Sequence, residues 1–122
     1  MFKIMLIIII ALLLLDAVYL MIMKDAFKKQ IELIQNSPLE LNMYAGAVCY
    51  IALAIGLYYF IIKDKKPVRD AFLLGLVIYT VYETTTMALF KDWQLKNAVI
   101  DSIWGGVLFA TITQLLYYFE FA

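Results

Sequence analysis

The chain has 122 residues, of which 66% are hydrophobic and 16% are charged, and its mean hydropathy is +0.88. Soluble domains are ordinarily about 45–50% apolar and about 25% charged, and a chain this short cannot bury so much apolar surface in one core. These values predict an integral membrane protein. Ten basic residues balance ten acidic ones, so the strong positive charge typical of nucleic-acid-binding proteins is excluded.

The residue types that are scarce narrow the chemistry further. Cys49 is the one cysteine, which excludes an internal disulfide and a multi-cysteine metal site. The sequence contains no histidine, which excludes histidine-ligated zinc or haem and a Ser-His-Asp triad. It also lacks a phosphate-binding loop, a nucleophile–base pair and any cofactor motif. We therefore expect no cofactor and no enzymatic activity.

The first predicted membrane span covers residues 2–23, and residues 4–15 are apolar without interruption. A membrane helix needs about 20 mostly apolar residues to cross a hydrocarbon core about 30 Å thick. A signal peptide would contain a similar run, but no small-residue cleavage site follows this one, so we expect it to remain as a span.

The segment after the first span, residues 24–36, places Phe27, Ile31 and Ile34 at helical spacing among charged residues. This pattern predicts a short amphipathic helix at the membrane interface. A continuation of the first helix beyond the membrane is the alternative.

Three further spans are predicted at residues 43–62, 68–90 and 95–119. The sequence Ser37-Pro38-Leu39-Glu40 forms a capping box that predicts a helix start before the second span. Pro67 opens the third span, and Asp92 is the predicted N-cap of the fourth. The sequence therefore predicts an all-α, polytopic protein: a bundle of four transmembrane helices in one domain, residues 1–122.

The orientation of the bundle depends on its basic residues. Lysines and arginines number five on each side of the membrane, but four of them fall within the short segment 63–69. This density favours a cytoplasmic second loop, and with it two cytoplasmic termini.

Asp16, Glu83 and Asp101 are the acidic residues well inside the predicted spans. A charge at the bilayer centre costs at least about 2.5–3.5 kcal/mol, so such residues indicate a functional site. Counted from the span ends at about 1.5 Å per residue, all three lie roughly 9–11 Å beneath the surface that carries the first and third loops. We therefore predict one proton, ion or ligand site that contains all three.

Polar and aromatic side chains at the same depth predict the rest of that site, since residues three or four apart share a helix face. The predicted supporting residues are Tyr19, Tyr50, Tyr79, Tyr82, Thr86, Asn97 and Trp104. Aromatic residues nearer the span ends, Trp93 among them, are instead typical of an interfacial belt.

No arginine or lysine lies at this depth to neutralise the acids. Three unpaired anions cannot share a low-dielectric layer, so we expect one or two of them to be protonated, or a cation to be bound by carboxylate and hydroxyl oxygens. In a third interpretation Lys24, Lys91 or Lys96 reaches inward. In the simplest one the acids are neutral and join the helices by hydrogen bonds worth about 0.6–2 kcal/mol each.

A resemblance covers nearly the whole chain. The runs Tyr82-Glu83-Thr84-Thr85-Thr86, Lys91-Asp92-Trp93 and Asp101-Ser102-Ile103-Trp104-Gly105, with Asp16 followed by Tyr19, are similar to a family of small membrane proteins catalogued as domain of unknown function 2177. The usual third-helix motif of that family has aspartate and asparagine where Glu83 and Thr86 stand here. The resemblance implies a four-helix membrane fold with Asp16, Glu83, Asp101 and Trp104 as its polar signature. It implies no activity.

Three functions remain in competition. The first is a proton or cation channel or carrier, for which conduction would need a homo-oligomer, because four helices enclose little lumen. Two stripes of small residues are the candidate contact faces: Val48, Ala52 and Gly56, and Ser102, Gly106 and Ala110.

The alternative is a structural or accessory protein whose acids only join helices. A lipid- or amphiphile-binding protein or membrane enzyme is the third. The expected partners are membrane lipids, a proton or small cation and a second copy of the chain, and not nucleic acid.

Overall fold

A computed structural model of the chain describes residues 2–35 and 42–120. Helices α1 (Phe2–Gln35), α2 (Met43–Leu57), α3 (Val68–Leu89) and α4 (Leu95–Tyr118) make up most of these residues, and α2 continues as a π-helical turn, Tyr58–Ile62. With α2 and this turn taken together, the four helical segments are each long and apolar enough to cross a membrane. The predicted all-α fold with four spans is confirmed.

Helix α1 is much longer than a membrane span requires. Its 34 residues correspond to about 51 Å at about 1.5 Å per residue, against a hydrocarbon core about 30 Å thick. Residues 24–35 are the last part of this helix rather than a separate one, so the structure adopts the alternative that the sequence left open. The charged extension carries Phe27, Gln30 and Ile31 toward the rest of the bundle, where Gln30 is only 1% exposed.

The helix starts are capped differently from the sequence prediction. The side chain of Asn42 accepts a hydrogen bond from the Ala45 amide at 3.1 Å and caps α2, whereas the predicted capping box from Ser37 to Glu40 lies outside the described residues. The prediction of Asp92 as N-cap of α4 is wrong, because Gln94 occupies that position. The Gln94 amide donates to Oε1 of Gln30 at 2.7 Å, so this helix end is capped from α1.

The most extensive helix pair is α3 with α4, and glycines permit its close approach. A Cβ atom on Gly75 would collide with the carbonyl of Gly105, and one on Gly106 would lie 2.8 Å from the Phe72 ring. Gly106, in one of the two small-residue stripes, is therefore used within the protomer.

A compact apolar core fills the half of the bundle that contains the start of α1, the α2–α3 connection and the end of α4. Its largest members that are at most 2% exposed are Ile8, Leu12, Leu57, Ile62, Leu108, Phe109, Ile112 and Leu116. The buried acids lie in the other half, beyond this core.

Candidate functional site: a cavity lined by three carboxyls

Asp16, Glu83 and Asp101 line a single cavity of about 430 Å³. Every helix contributes to its wall, and Trp93, in the turn between α3 and α4, closes part of it. The aromatic lining residues are Tyr19, Phe27, Tyr50, Tyr79, Tyr82 and Trp93, and the aliphatic ones include Leu20, Ile31, Leu53 and Ile78. The structure thus brings together three acids that are far apart in the sequence but were placed at one depth by counting along the helices.

Asp16 is held by side chains of two other helices. The Tyr50 hydroxyl on α2 donates a hydrogen bond to Oδ2 of Asp16, and the Trp104 indole on α4 donates to Oδ1 at 2.9 Å. The residue is only 7% exposed. Each carboxyl oxygen accepts one hydrogen bond from a neutral donor. Asp16 therefore joins α1, α2 and α4 at the cavity wall.

Glu83 is held on one side only. Its Oε2 atom accepts a hydrogen bond from the indole of Trp93 at 3.2 Å. Its Oε1 atom is buried without a hydrogen-bond partner, and the residue as a whole is only 1% exposed. A buried polar atom without a partner is costly, so it marks a position where a ligand atom or proton would be stabilising.

Asp101 lies across from Tyr19 and is 9% exposed. The Tyr19 hydroxyl faces the Asp101 carboxyl, but the two groups do not reach the geometry of a formed hydrogen bond. The Tyr19 ring is fixed by stacking on Trp104, with centroids 4.6 Å apart. The hydroxyl is therefore held beside Asp101.

The charge of the three acids is not balanced by basic residues in the part of the chain that the structure describes. Lys24, Lys91 and Lys96 are all exposed and form no ion pair with them, so the interpretation in which these lysines reach inward is wrong. The described ranges also contain no group of three or more acids and cysteines close enough to hold one metal ion. The carboxyls surround a volume rather than converge on a point.

Five of the seven predicted supporting residues take part in the site. Tyr19, Tyr50, Tyr79 and Tyr82 line the cavity, and Trp104 binds Asp16. Thr86 and Asn97 do not line it. The Thr86 hydroxyl donates to the Tyr82 carbonyl of its own helix at 2.8 Å, as threonine in membrane helices commonly does. The Asn97 amide donates to Gln30 at 3.2 Å, beside the start of α4.

Sequence reasoning missed several residues of the site. Trp93 has the position of a belt residue but binds Glu83, and the exposed Cys49 on α2 lines the cavity. Gln30 does not line the cavity, but its contact with the start of α4 could have been predicted, because it lies three residues after Phe27 on the apolar face of α1. A polar residue at such a position is typical of a buried contact with another element.

The chain matches a known protein family. The family described as "Predicted membrane protein", domain of unknown function 2177, matches residues 1–118, a range that contains all three acids and both tryptophans. No curated protein and no solved structure matches the chain. With four candidate spans and a match over nearly its whole length, the chain belongs to this family of multi-pass membrane proteins.

Proposed function

We propose that this protein is a carrier of protons or small cations whose binding site is the cavity lined by Asp16, Glu83 and Asp101. The observation that carries the proposal is the Oε1 atom of Glu83, which is buried and unpartnered and belongs to a residue that lines a cavity with two other carboxyls. No basic side chain forms an ion pair with these acids among the described residues. A proton or a cation entering the cavity would supply the positive charge that the protein does not.

The three acids have different roles in this proposal. Asp16 accepts two hydrogen bonds and acts as a fixed anchor between helices, which is the structural role considered from the sequence. Glu83 has an acceptor oxygen without a partner, Asp101 faces the Tyr19 hydroxyl, and these two acids exchange the proton or cation. The structural alternative is thus favoured for one acid and not for all three.

A carrier is better supported than an open channel. The half of the bundle beyond the cavity is filled by apolar side chains such as Leu12, Leu108 and Phe109, each 0% exposed. A conduction path through one protomer would have to cross this core, so transport needs a rearrangement of the helices or a second copy. Helix α2 offers a face for that copy, since a Cβ atom on Gly46 or Gly56 would meet nothing within 4 Å.

The proposed topology has both termini in the cytoplasm, on the side of the basic segment 63–69. The cavity then lies nearer the opposite surface, toward the α3–α4 turn that carries Trp93. A carrier with this topology would load its proton or cation from outside.

The test is flux into proteoliposomes, under a proton gradient with a pH-sensitive dye inside and then under a potassium gradient with a potassium-sensitive dye inside. Glu83→Gln and Asp101→Asn should each abolish most of the flux, because each removes an exchangeable charge. Asp64→Asn, which changes an exposed acid in the α2–α3 connection, is the matched control and should transport like the wild type. Wild-type flux equal to that of empty liposomes, or full flux in both cavity variants, would exclude the proposal.

A further inference from the structure

The wall of the cavity does not resemble the site of an inorganic cation. Hard cations such as Ca²⁺ or Mg²⁺ take oxygen ligands that converge at roughly 2.0–2.6 Å, and the described residues contain no such group of acids. Apart from the carboxyls, hydroxyls, indole and the Cys49 thiol, the lining is aromatic or aliphatic, with Phe27, Leu53 and Ile78 among its members. An inorganic ion alone would leave this apolar surface without apolar contacts.

The volume of the cavity is that of a small-molecule site. About 430 Å³ lies within the range of roughly 300–1,000 Å³ that is typical of organic ligand pockets. Such pockets are mostly apolar with a few polar groups that fix the orientation of the ligand. Among the described residues that line it, Glu83 and Tyr19 each carry a buried polar atom without a hydrogen-bond partner, the Glu83 Oε1 atom and the Tyr19 hydroxyl.

We infer that the ligand is an organic ammonium cation, a single ammonium group attached to an aromatic or aliphatic body. This inference rests on the proposed function and names the class of cation. The ammonium donates to Glu83 Oε1 and to the Asp101 carboxyl and supplies the missing positive charge. The body packs against Phe27 and Ile78, and the aromatic rings near the acids, Tyr79 among them, add attraction for the cation through their π faces.

The cavity reaches the outside of the bundle, which gives such a ligand a way in. Tyr82 and Leu20 belong to its wall and are 58% and 44% exposed. An amphiphilic cation concentrates at the membrane surface, with its charge among the headgroups and its body in the apolar layer. It can therefore approach the cavity from the interface rather than through a pore.

The two tryptophans make the binding measurable without a label. Trp93 and Trp104 are the chain's only tryptophans, and their indoles bind Glu83 and Asp16 respectively. Intrinsic tryptophan emission of the purified protein in micelles therefore reports on the site. The probe is benzylammonium chloride. Benzyl alcohol, which has the same ring and no charge, and sodium chloride at equal ionic strength are the matched comparisons.

We expect benzylammonium to give a saturable change in emission. Its half-saturating concentration should be at least tenfold below that of benzyl alcohol, and sodium chloride should give no change in emission. Glu83→Gln should weaken benzylammonium binding at least tenfold, while Asp64→Asn should leave it unchanged. Cys49→Phe places a bulky ring on an exposed residue of the cavity wall, and it should block binding even if Glu83→Gln fails to fold.

Two results separate this inference from the proposed function. In the first, proton flux depends on Glu83, but benzyl alcohol binds as tightly as benzylammonium, or sodium gives the same emission change. This result would overturn the inference and leave the proposed carrier function intact. In the second, benzylammonium binding is saturable and depends on Glu83, but protons, potassium and benzylammonium do not enter the liposomes. This result would overturn the proposed carrier function and leave the ammonium-binding site intact.

Discussion

Trp104 stacks face to face on Tyr19, with ring centroids 4.6 Å apart and ring planes 1° from parallel. The same indole donates its N–H to Asp16 at 2.9 Å. Asp16 and Tyr19 are three residues apart on α1, so one side chain of α4 contacts two successive positions on one face of that helix. This contact sets the register of α4 against α1 at the depth of the cavity.

Replacing Trp104 should separate the two parts of this contact. Trp104→Phe keeps a ring against Tyr19 but removes the donor to Asp16, and we expect it to lower the free energy of unfolding by about 0.6–2 kcal/mol. Trp104→Leu also removes the stack and should cost about 0.5–1.5 kcal/mol more. Denaturant titration in mixed micelles measures both. Tyr44→Phe, at a residue 89% exposed, is the control, and a Trp104→Phe variant as stable as this control would contradict the assigned contact.

The hydrogen bond from Trp93 to Glu83 can be measured with a double-mutant cycle. Trp93→Phe and Glu83→Leu should show a coupling energy of about 0.6–2 kcal/mol, because each alone removes the same bond. Trp93→Phe combined with Asp16→Leu is the control pair, since no hydrogen bond joins Trp93 to Asp16. Unfolding free energies that add in both pairs would show that Trp93 is only a belt residue.

Gly75→Ala should destabilise the bundle, while Gly56→Ala should not. The new methyl at position 75 would meet the backbone of Gly105, which cannot move without shifting α4. The expected loss is about 1–3 kcal/mol, as for other overpacked interiors. The space above Gly56 is open, so alanine there should be neutral or stabilise the helix by up to about 1 kcal/mol. Equal unfolding free energies for the two variants would contradict the close α3–α4 approach.

Gln30 should control the stability of the start of α4. Gln30→Ala removes the acceptor of the Gln94 amide, and hydrogen exchange at that amide should accelerate about tenfold, the equivalent of about 1.4 kcal/mol. Gln30→Glu keeps an acceptor at the helix N-terminus and should restore slow exchange. Lys29→Ala, on the exposed side of α1, is the control. Fast exchange at Gln94 in the wild type would mean that Gln30 does not cap the helix.

That the three acids line one cavity could be anticipated, because the rise per residue along a helix is nearly constant and the spans have recognisable ends. Asp16, Glu83 and Asp101 could therefore be assigned to one layer from counting alone. Their individual environments were not predictable. Asp16 accepts two hydrogen bonds from other helices and Glu83 one from a turn, and these partners depend on how each helix is rotated about its axis.

Thr86, Asn97 and Trp93 show the same limit. Thr86 and Asn97 occupy suitable offsets from the acids, yet they bond to the Tyr82 carbonyl and to Gln30, while Trp93 turns inward to Glu83. Sequence spacing defines the face of one helix, but it does not define which element that face meets.

The sequence by itself determined that this is a membrane protein with four spans, and it predicted one depth for the three acids, because hydropathy and helical rise are local properties. Only the tertiary structure decided that the acids share a cavity, that α1 runs unbroken to Gln35 and that Glu83 keeps an unpartnered oxygen. These features depend on contacts between distant segments. The glycine-mediated packing of α3 on α4 and the contact of Trp104 with α1 set the positions of the helices that leave the cavity open.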